Sequence, residues 1–203
     1  MLIGLTGGIA SGKSTVSHLL QQRGLPVVDA DVVAREVVTP GSAVLREIVA
    51  HFGANILLPD GMLDRKKLRQ EIFSQPEQKK QLDDILLPRI IERRNQRIAE
   101  LQEHSPHVVY DAALLIESGS YAQMDIVVVV YCEVPIQVER LMQRDGVTAQ
   151  AAMEAIRSQM PLHRRMRYAD YCIDNSKDRS ALEAKVDQFY QKLVSGELRP
   201  REH

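Results

Sequence analysis

Lys13, Ser14 and Thr15 close a stretch, Gly7 to Thr15, that reads GGIASGKST and carries the spacing GxxxxGK[ST] from Gly7 to Ser14. The residue types divide one task among themselves. Gly7, Gly8 and Gly12 permit positive φ and let backbone N–H groups approach an anion closely. A helix starting at about Ser14 turns its partial positive charge on the same anion. The Lys13 ammonium reaches the β- and γ-oxygens of a nucleoside triphosphate, and the Ser14 hydroxyl is placed to ligate Mg²⁺. Gly8, Ala10, Ser11, Gly12, Lys13, Ser14 and Thr15 are therefore the candidate contacts of a nucleoside triphosphate. The alternative is a chance glycine turn, but the apolar run Leu2, Ile3, Leu5 supplies a strand before the loop. Val16, Leu19 and Leu20 supply a helix face after it, with Gly24 as its C-terminal cap.

Three carboxylates could work beside such a loop. Asp111 ends the apolar strand Val108-Val109-Tyr110 and suits holding Mg²⁺ directly or through water. An ordinary strand-end aspartate has the same pattern; the loop favours the metal reading, so Ser14 and Asp111 are the candidate metal ligands. Asp29 and Asp31 follow the short strand Pro26-Val27-Val28. Asp31 could cap the next helix, and Asp29 could be a turn residue. The reading adopted makes Asp31 the catalytic base, because phosphoryl transfer needs a group to orient and deprotonate an acceptor hydroxyl.

Arginines form the last set. Arg140 and Arg144 stand four apart, with Arg157, Arg164, Arg165 and Arg167 further on. A helical lid carrying an arginine over the transferred group stabilises its charge and excludes water; Arg140 is the first choice, joining Asp31 and Lys13 as catalytic. Arg89, Arg93 and Arg97 repeat every fourth residue and read as a surface stripe, with reception of an anionic acceptor as the second reading.

These residues need a frame. The 203 residues, 44% hydrophobic and 26% charged, suit one globular domain with an inserted subdomain. A net charge of −1, from 26 basic and 27 acidic residues, disfavours a nucleic-acid binder that relies on bulk positive charge. Cys132 and Cys172 fit neither a disulfide framework nor a metal site and are expected as buried thiols in a reducing cytosol. No charged leader or spanning segment is visible, so a cytoplasmic protein with no membrane partner is expected.

Strands and helices alternate. Strands are expected at the N-terminus, at Pro26 to Val28, at Val108 to Asp111, at Ile126 to Tyr131 and at Tyr171 to Ile173, with helical character resuming from Asp31 after the second. Between Pro40 and Ser105 only helices are expected. Ser42 precedes Val44, Leu45, Ile48, Val49 and Phe52, with Gly53 as stop; Pro59-Asp60-Gly61 is a turn. Asp64 can cap a helix carrying Leu68, Ile72 and Phe73, and Pro76 and Pro88 sit near the starts of two more. Residues 135–169 are helical, 180–194 form a closing amphipathic helix, and Glu197 to His203 read as a loose tail. The fold class is α/β: a P-loop NTPase-type parallel sheet flanked by helices, core about 1–39, 106–134 and 170–195, with a helical insertion at about 40–105 and a helical lid at about 135–169.

Over nearly its whole length the chain resembles the dephospho-coenzyme A kinases. The resemblance rests on TGGIASGKST (Thr6 to Thr15), DADVVAR (Asp29 to Arg35), Leu63-Asp64-Arg65 leading to Ile72-Phe73, and DAALLIE (Asp111 to Glu117). QVERLMQR (Gln137 to Arg144), RSQM and YADYCIDN, within Arg157 to Asn175, complete it. It implies transfer of the ATP γ-phosphate to the ribose 3′-hydroxyl of dephospho-coenzyme A, the last step of coenzyme A synthesis. The helical insertion would then bind the acceptor. The implied partners are ATP and dephospho-coenzyme A, in a monomer or weak homo-oligomer.

A nucleoside monophosphate kinase or another small-metabolite kinase shares the loop, lid and strand-end aspartate and differs only in its acceptor. A regulatory GTPase would want NKxD, and the nearest string, Asn175-Ser176-Lys177-Asp178, has its lysine one position late.

Overall fold

The computed structural model describes residues 1–72 and 75–201. The chain divides into two compact units, Met1–Val27 with Leu101–His203, and Val28–Glu100. In the first, strands β1 (Leu2–Gly7), β3 (Val108–Asp111), β4 (Ile126–Tyr131) and β5 (Tyr171–Asp174) pair in parallel. With β2 (Val27–Asp29) the described strands form one sheet, in the order β2-β3-β1-β4-β5. Leu5 lies opposite Asp111, Gly7 opposite Val130, and Tyr131 opposite Asp174. The carboxyl ends of four strands thus meet along one edge, where ligands of such sheets bind.

β4 pairs on both sides, and Ile126 to Val130 are all buried, which is why an unbroken apolar run rather than an alternating one encodes it. Helices α1 (Lys13–Gln22) and α9 (Arg179–Val194) bury Val16, Leu19, Leu20, Leu182, Val186 and Phe189 in one cluster with Ile3, Leu5, Val128 and Ile173. α1 ends in a Schellman closure: Gly24, at φ 85°, donates to Gln21 O at 2.9 Å, and Leu25 N donates to Leu20 O at 3.1 Å. The expected lid stretch holds α6 (Val134–Asp145), α7 (Ala149–Arg157) and the single turn α8 (Leu162–Arg165). Among the described residues no helix is long and apolar enough to cross a membrane.

The tail is not loose. Leu198 packs on the sheet cluster and its N–H, like that of Glu197, bonds Lys192 O. Arg201 Nε reaches Asp170 at 2.6 Å and its amide bonds Asp125 O at 2.9 Å. A guanidinium and one apolar side chain give the segment enough partners to order it; Glu202 and His203 lie outside the described residues. Cys172 is exposed, not buried, since residues alternate along β5 and the core-facing side chains are Tyr171 and Ile173; Cys132 is buried as expected.

The Val28–Glu100 unit is built from α2 (Ala30–Glu36), α3 (Ala43–Phe52), α4 (Arg65–Ile72) and most of α5 (Pro76–Gln102). Val38, Leu45, Ile48, Ile56, Leu68 and Leu82 form its own core. The expected caps are in place: Ser42 Oγ accepts from Leu45 N at 3.1 Å, and Asp64 Oδ1 from Lys67 N at 2.9 Å. Phe73, expected on the face of α4, lies outside the described residues. Pro88 starts no helix; it stands inside α5. Pro88 and Asp84, whose carbonyl loses its helical donor there, are both exposed, so water can satisfy the orphan.

Nor do Arg93 and Arg97 stand as a free surface stripe. Glu36 accepts from Arg93 Nε at 2.9 Å and from Arg97 Nη2 at 2.7 Å, tying α2 to α5. The Arg97 hydrogen bond, with Arg93 assisting, holds Glu36 below the usual carboxylate value of 4.5. Because the folded pKa is the depressed one, the stabilisation is complete above that usual value and is lost as pH falls through the folded one. We expect Glu36→Gln to lower the unfolding free energy measured in urea at pH 7 by roughly 0.2–1 kcal/mol, the range of exposed ion pairs. The difference from wild type should shrink towards zero in acid. A gap that stayed constant below the carboxylate range would show that packing, not charge, carries the contact.

Candidate active site

The loop leaves β1 at Gly7 and enters α1 at Lys13. Of its three glycines only Gly12 has positive φ, at 90°; the other left-handed residue is Ala10, at 57°. Gly7 is needed for space instead, since a Cβ there would lie 2.6 Å from Val130 O. At Gly12 both reasons apply, because a Cβ would meet Asn175 Nδ2 at 1.9 Å.

Side chains from the far end of the chain hold this loop from behind. Gln137 Nε2 donates to Ile9 O at 2.7 Å, and Ile9 N donates to Gln159 Oε1 at 2.7 Å. Asn175 Nδ2 donates to Ser11 O at 2.9 Å, and Arg140 Nη1 reaches Ala10 O at 3.4 Å. Arg140 Nη2 also bonds Asn175 O at 3.1 Å. Gln137, Arg140 and Arg144 fall on one face of α6 by their three- and four-residue spacing. The Cys132 thiol lies behind Ala10; burial pushes its pKa up, and the neighbouring Arg140 opposes this.

The front of the loop opens on a cavity of about 620 Å³ lined by residues from Gly7 to Ser14, with Ala113, Arg140, Arg144 and Gln159 around it. α1 begins there with no side-chain cap and no acidic residue in its first turn, so its N-terminal amides face the cavity unneutralised. Lys13 lines the cavity and forms an ion pair with Asp111, whose side chain is 3% exposed. Such a cavity is made for an anion with several oxygens.

The expected contacts Gly8, Ala10, Ser11, Gly12, Lys13 and Ser14 all line this cavity. Thr15 does not; its N–H bonds Gly12 O at 3.0 Å within the first turn. The arginines part company. Arg144, at the cavity, is paired with Asp145, which raises its pKa by hydrogen bonding. Arg165 is buried in a structural position, bonding Glu117 at 2.9 Å and Ala113 O at 3.3 Å, and so fixes the segment after β3. Arg164 and Arg167 are exposed.

In the Val28–Glu100 unit, Asp29 is the cap of α2: its Oδ1 accepts from Asp31 N at 2.7 Å and Val32 N at 3.1 Å. Asp31 is neither cap nor buried, but exposed in the first turn. Arg65 Nη2 donates to Ala34 O of the same helix at 2.8 Å. Its guanidinium pKa is lowered by burial and by Arg35, with Asp31 pulling the other way.

Gln137, Gln159 and Asn175 were not singled out as site residues. They sit inside segments that mark the chain, but an uncharged amide far from the loop in sequence gives no sign of which carbonyl it will reach.

A parallel sheet whose first strand passes through this loop into an uncapped helix is the architecture of the P-loop kinases. Comparison with known proteins takes the class to a family. The model of the CoaE dephospho-CoA kinase family matches residues 1–181. The dephospho-CoA kinase of Geobacter sulfurreducens is 45% identical over 94% of this chain and 98% of its own, and that of Syntrophotalea carbinolica 43% over 100% and 97%. The structure of dephospho-CoA kinase from Campylobacter jejuni superposes with a TM-score of 0.75 at 26% identity, covering 97% of this chain and 98% of that one. The chain belongs to the dephospho-CoA kinase family, and is a phosphotransferase with ATP as its donor.

The Lys13–Asp111 pair has a measurable consequence. Lys13→Ala should lower stability as well as activity, because it leaves a buried carboxylate short of its cation. Lys13 stays 20% exposed, so water limits the cost to roughly 1–3 kcal/mol. Asp111→Asn in the same chain should recover most of it. Equal losses with and without Asp111 would deny the pair any role in the stability of the fold.

Proposed function

We infer that this chain transfers the γ-phosphoryl group of ATP to the ribose 3′-hydroxyl of dephospho-coenzyme A, giving coenzyme A and ADP as the last step of coenzyme A synthesis. The observation that carries the reading is the meeting of Lys13 with the strand-end carboxylate Asp111 at a loop cavity open to an anion. In this assignment the loop amides and the start of α1 bind the β- and γ-phosphates. Lys13 offsets charge that grows on them in the transition state, and Arg140, already anchored on the loop, does the same from α6. Asp31 orients the acceptor hydroxyl and takes its proton. The helical stretch 40–105 is assigned to the acceptor and 135–169 to the lid. A monomer or weak homo-oligomer is assigned, with neither nucleic acid nor membrane as a partner. A cytoplasmic setting goes with this reading.

Mg²⁺ fits the residues present. Among the described residues no group of three or more His, Cys, Asp or Glu stands together as a cage. One carboxylate and one hydroxyl, Asp111 and the exposed Ser14, form a donor set for an ion that keeps waters and shares the phosphates. When bound, Mg²⁺ would neutralise charge on the bridging phosphate oxygens.

The direct test is ADP formation from Mg-ATP with dephospho-coenzyme A, AMP, CMP and dTMP in parallel. Dephospho-coenzyme A should exceed the others well; better use of a nucleoside monophosphate would make the chain a kinase of that other acceptor. Because Asp31 caps nothing, Asp31→Asn should leave the thermal midpoint unmoved while turnover falls by roughly 10²–10⁴-fold, as for a positioned general base. Asp29→Asn should keep both, since Asn caps about as well as Asp. A large rate loss at Asp29 with a normal rate at Asp31 would move the base to Asp29.

A further inference from the structure

The connection between α7 and α8 is held at both ends by parts of the active site. At its start, Gln159 Oε1 accepts from Ile9 N of the phosphate loop at 2.7 Å. At its end, Arg165 Nη2 bonds Glu117 at 2.9 Å, while Nη1 lies 3.3 Å from Ala113 O and 3.4 Å from the Thr6 hydroxyl. Thr6 Oγ1 itself donates to Ala113 O at 3.1 Å, so this anchor reaches both β1 and the turn just past Asp111. Residues 159–165 therefore run as a strap from the phosphate loop to the turn that follows the Asp111 carboxylate.

Both anchors are specific. Gln137 Nε2 donates to Ile9 O at 2.7 Å, so two side-chain amides grip Ile9 through its N–H and its carbonyl. A Cβ at Gly8 would lie 3.1 Å from Gln137 Nε2 and 3.6 Å from Gln159 Oε1, and glycine there gives them room. Arg165 is 1% exposed, and a guanidinium is buried to that depth only where acceptors meet it. Between the anchors the strap is short and stiff: Pro161 has its φ fixed, and its carbonyl accepts from Arg164 N at 3.0 Å and Arg165 N at 3.1 Å. A cavity of about 300 Å³ adjoins it, lined by Met160, Pro161 and Leu162 of the strap and by Tyr131, Cys132 and Val134 from the end of β4 and the start of α6. Side chains do not fill that space, so the position of the strap depends on its two polar anchors.

We propose that this strap sets the phosphate loop against Asp111 for the Mg²⁺–nucleotide complex, with Gln159 and Arg165 as its positioning residues. An ion shared between Asp111 and the phosphates tolerates little error in their separation, because Mg²⁺ demands near-ideal octahedral geometry at about 2.0–2.1 Å. The paired residues of β1 and β3 end at Leu5 and Asp111. Past that point the strap ties loop to turn, and unlike the Lys13–Asp111 pair it uses no group assigned to the nucleotide or the ion. The inference rests on the assignment of the loop to the nucleotide and of Asp111 to Mg²⁺, and adds the residues that hold one against the other.

The test is the affinity of the β,γ-imido analogue of ATP, measured by calorimetry with Mg²⁺ and again with EDTA. Wild type should bind the Mg²⁺ complex more tightly. Gln159→Met keeps the bulk and removes the acceptor; it should weaken binding of the Mg²⁺ complex by about tenfold, the scale of one lost hydrogen bond, and metal-free binding by no more than about threefold. Pro161→Gly, at an exposed position, leaves both anchors in place and frees only the chain between them, so it should act in the same sense to a smaller extent. Arg165→Lys keeps a charge beside Glu117 but cannot reach all three acceptors. Combined with Gln159→Met, it should weaken the Mg²⁺ complex little beyond the stronger single variant, since a strap cut at one end transmits nothing. Unchanged affinity in Gln159→Met and Pro161→Gly, equal weakening with and without Mg²⁺, or anchor effects that simply multiply would each overturn the strap while leaving the metal assignment standing. A wild type that gains no affinity from Mg²⁺ would overturn the metal assignment and the strap together.

Discussion

Three successive carbonyls of the phosphate loop, those of Ile9, Ala10 and Ser11, are tied back by Gln137, Arg140 and Asn175. A site made of backbone N–H groups has to keep parallel dipoles aimed at one point before the anion arrives. Left to itself, a short glycine-rich loop would relax by turning those groups to water or to its own carbonyls. Bonding the carbonyls from behind removes that freedom, and the folded chain meets the cost of alignment in advance. The tethers lie 122 to 164 positions from the loop for the Cys132 and Asn175 contacts. The nucleotide site is therefore a product of the whole sheet. β4 and β5 deliver Cys132 and Asn175 just past their ends, and α6 delivers Gln137 and Arg140.

Much of this was legible from residue types, where the signal is local. β4 is a β-branched run whose limits, Ile126 to Tyr131, follow from its burial on both faces. Ser42 and Asp64 are caps that bond backbone three residues on, so sequence spacing alone identifies them. The same rule does not choose within the DAD segment. Asp29 and Asp31 are both good caps, and the choice depends on where β2 stops. The strand includes Asp29, whose φ of −86° and ψ of 122° are the extended geometry of an N-cap, so the helix starts one residue earlier than expected. Pro88 was opaque for a related reason. A proline breaks a helix when its orphaned carbonyl is buried, and whether it faces water depends on the packing of α5.

The arginines show where legibility ends. A guanidinium sits at the end of a long flexible stem, so spacing gives its helix face but not its partner. Arg165 pays for its burial with three acceptors, Glu117, Ala113 O and the Thr6 hydroxyl at 3.4 Å. That makes it a brace for the turn after Asp111. Arg140, also within the lid stretch, is instead held at the loop and cavity. Arg93 and Arg97 find Glu36, 57 and 61 positions upstream. No local pattern separates these fates, because each is decided by which acceptor the tertiary fold brings within reach.

The contrast between the two carboxylates assigned to chemistry follows from their environments. Asp111 is nearly dry, and a dry carboxylate is tolerable only with a cation beside it, which Lys13 supplies. In the proposed reaction Lys13 would pair with the phosphates of bound ATP, and Asp111 would be a ligand for Mg²⁺, so each partner would keep a counter-charge. Such an exchange would avoid the penalty that separating a buried pair otherwise carries. Asp31 has the opposite requirement. A base must accept a proton from the acceptor and afterwards lose it to solvent, and an exposed carboxylate on the first turn of a helix capped by its neighbour can do both. With the cap on Asp29, Asp31 is left available for the base role proposed above, which would give the two aspartates of one three-residue segment separate tasks.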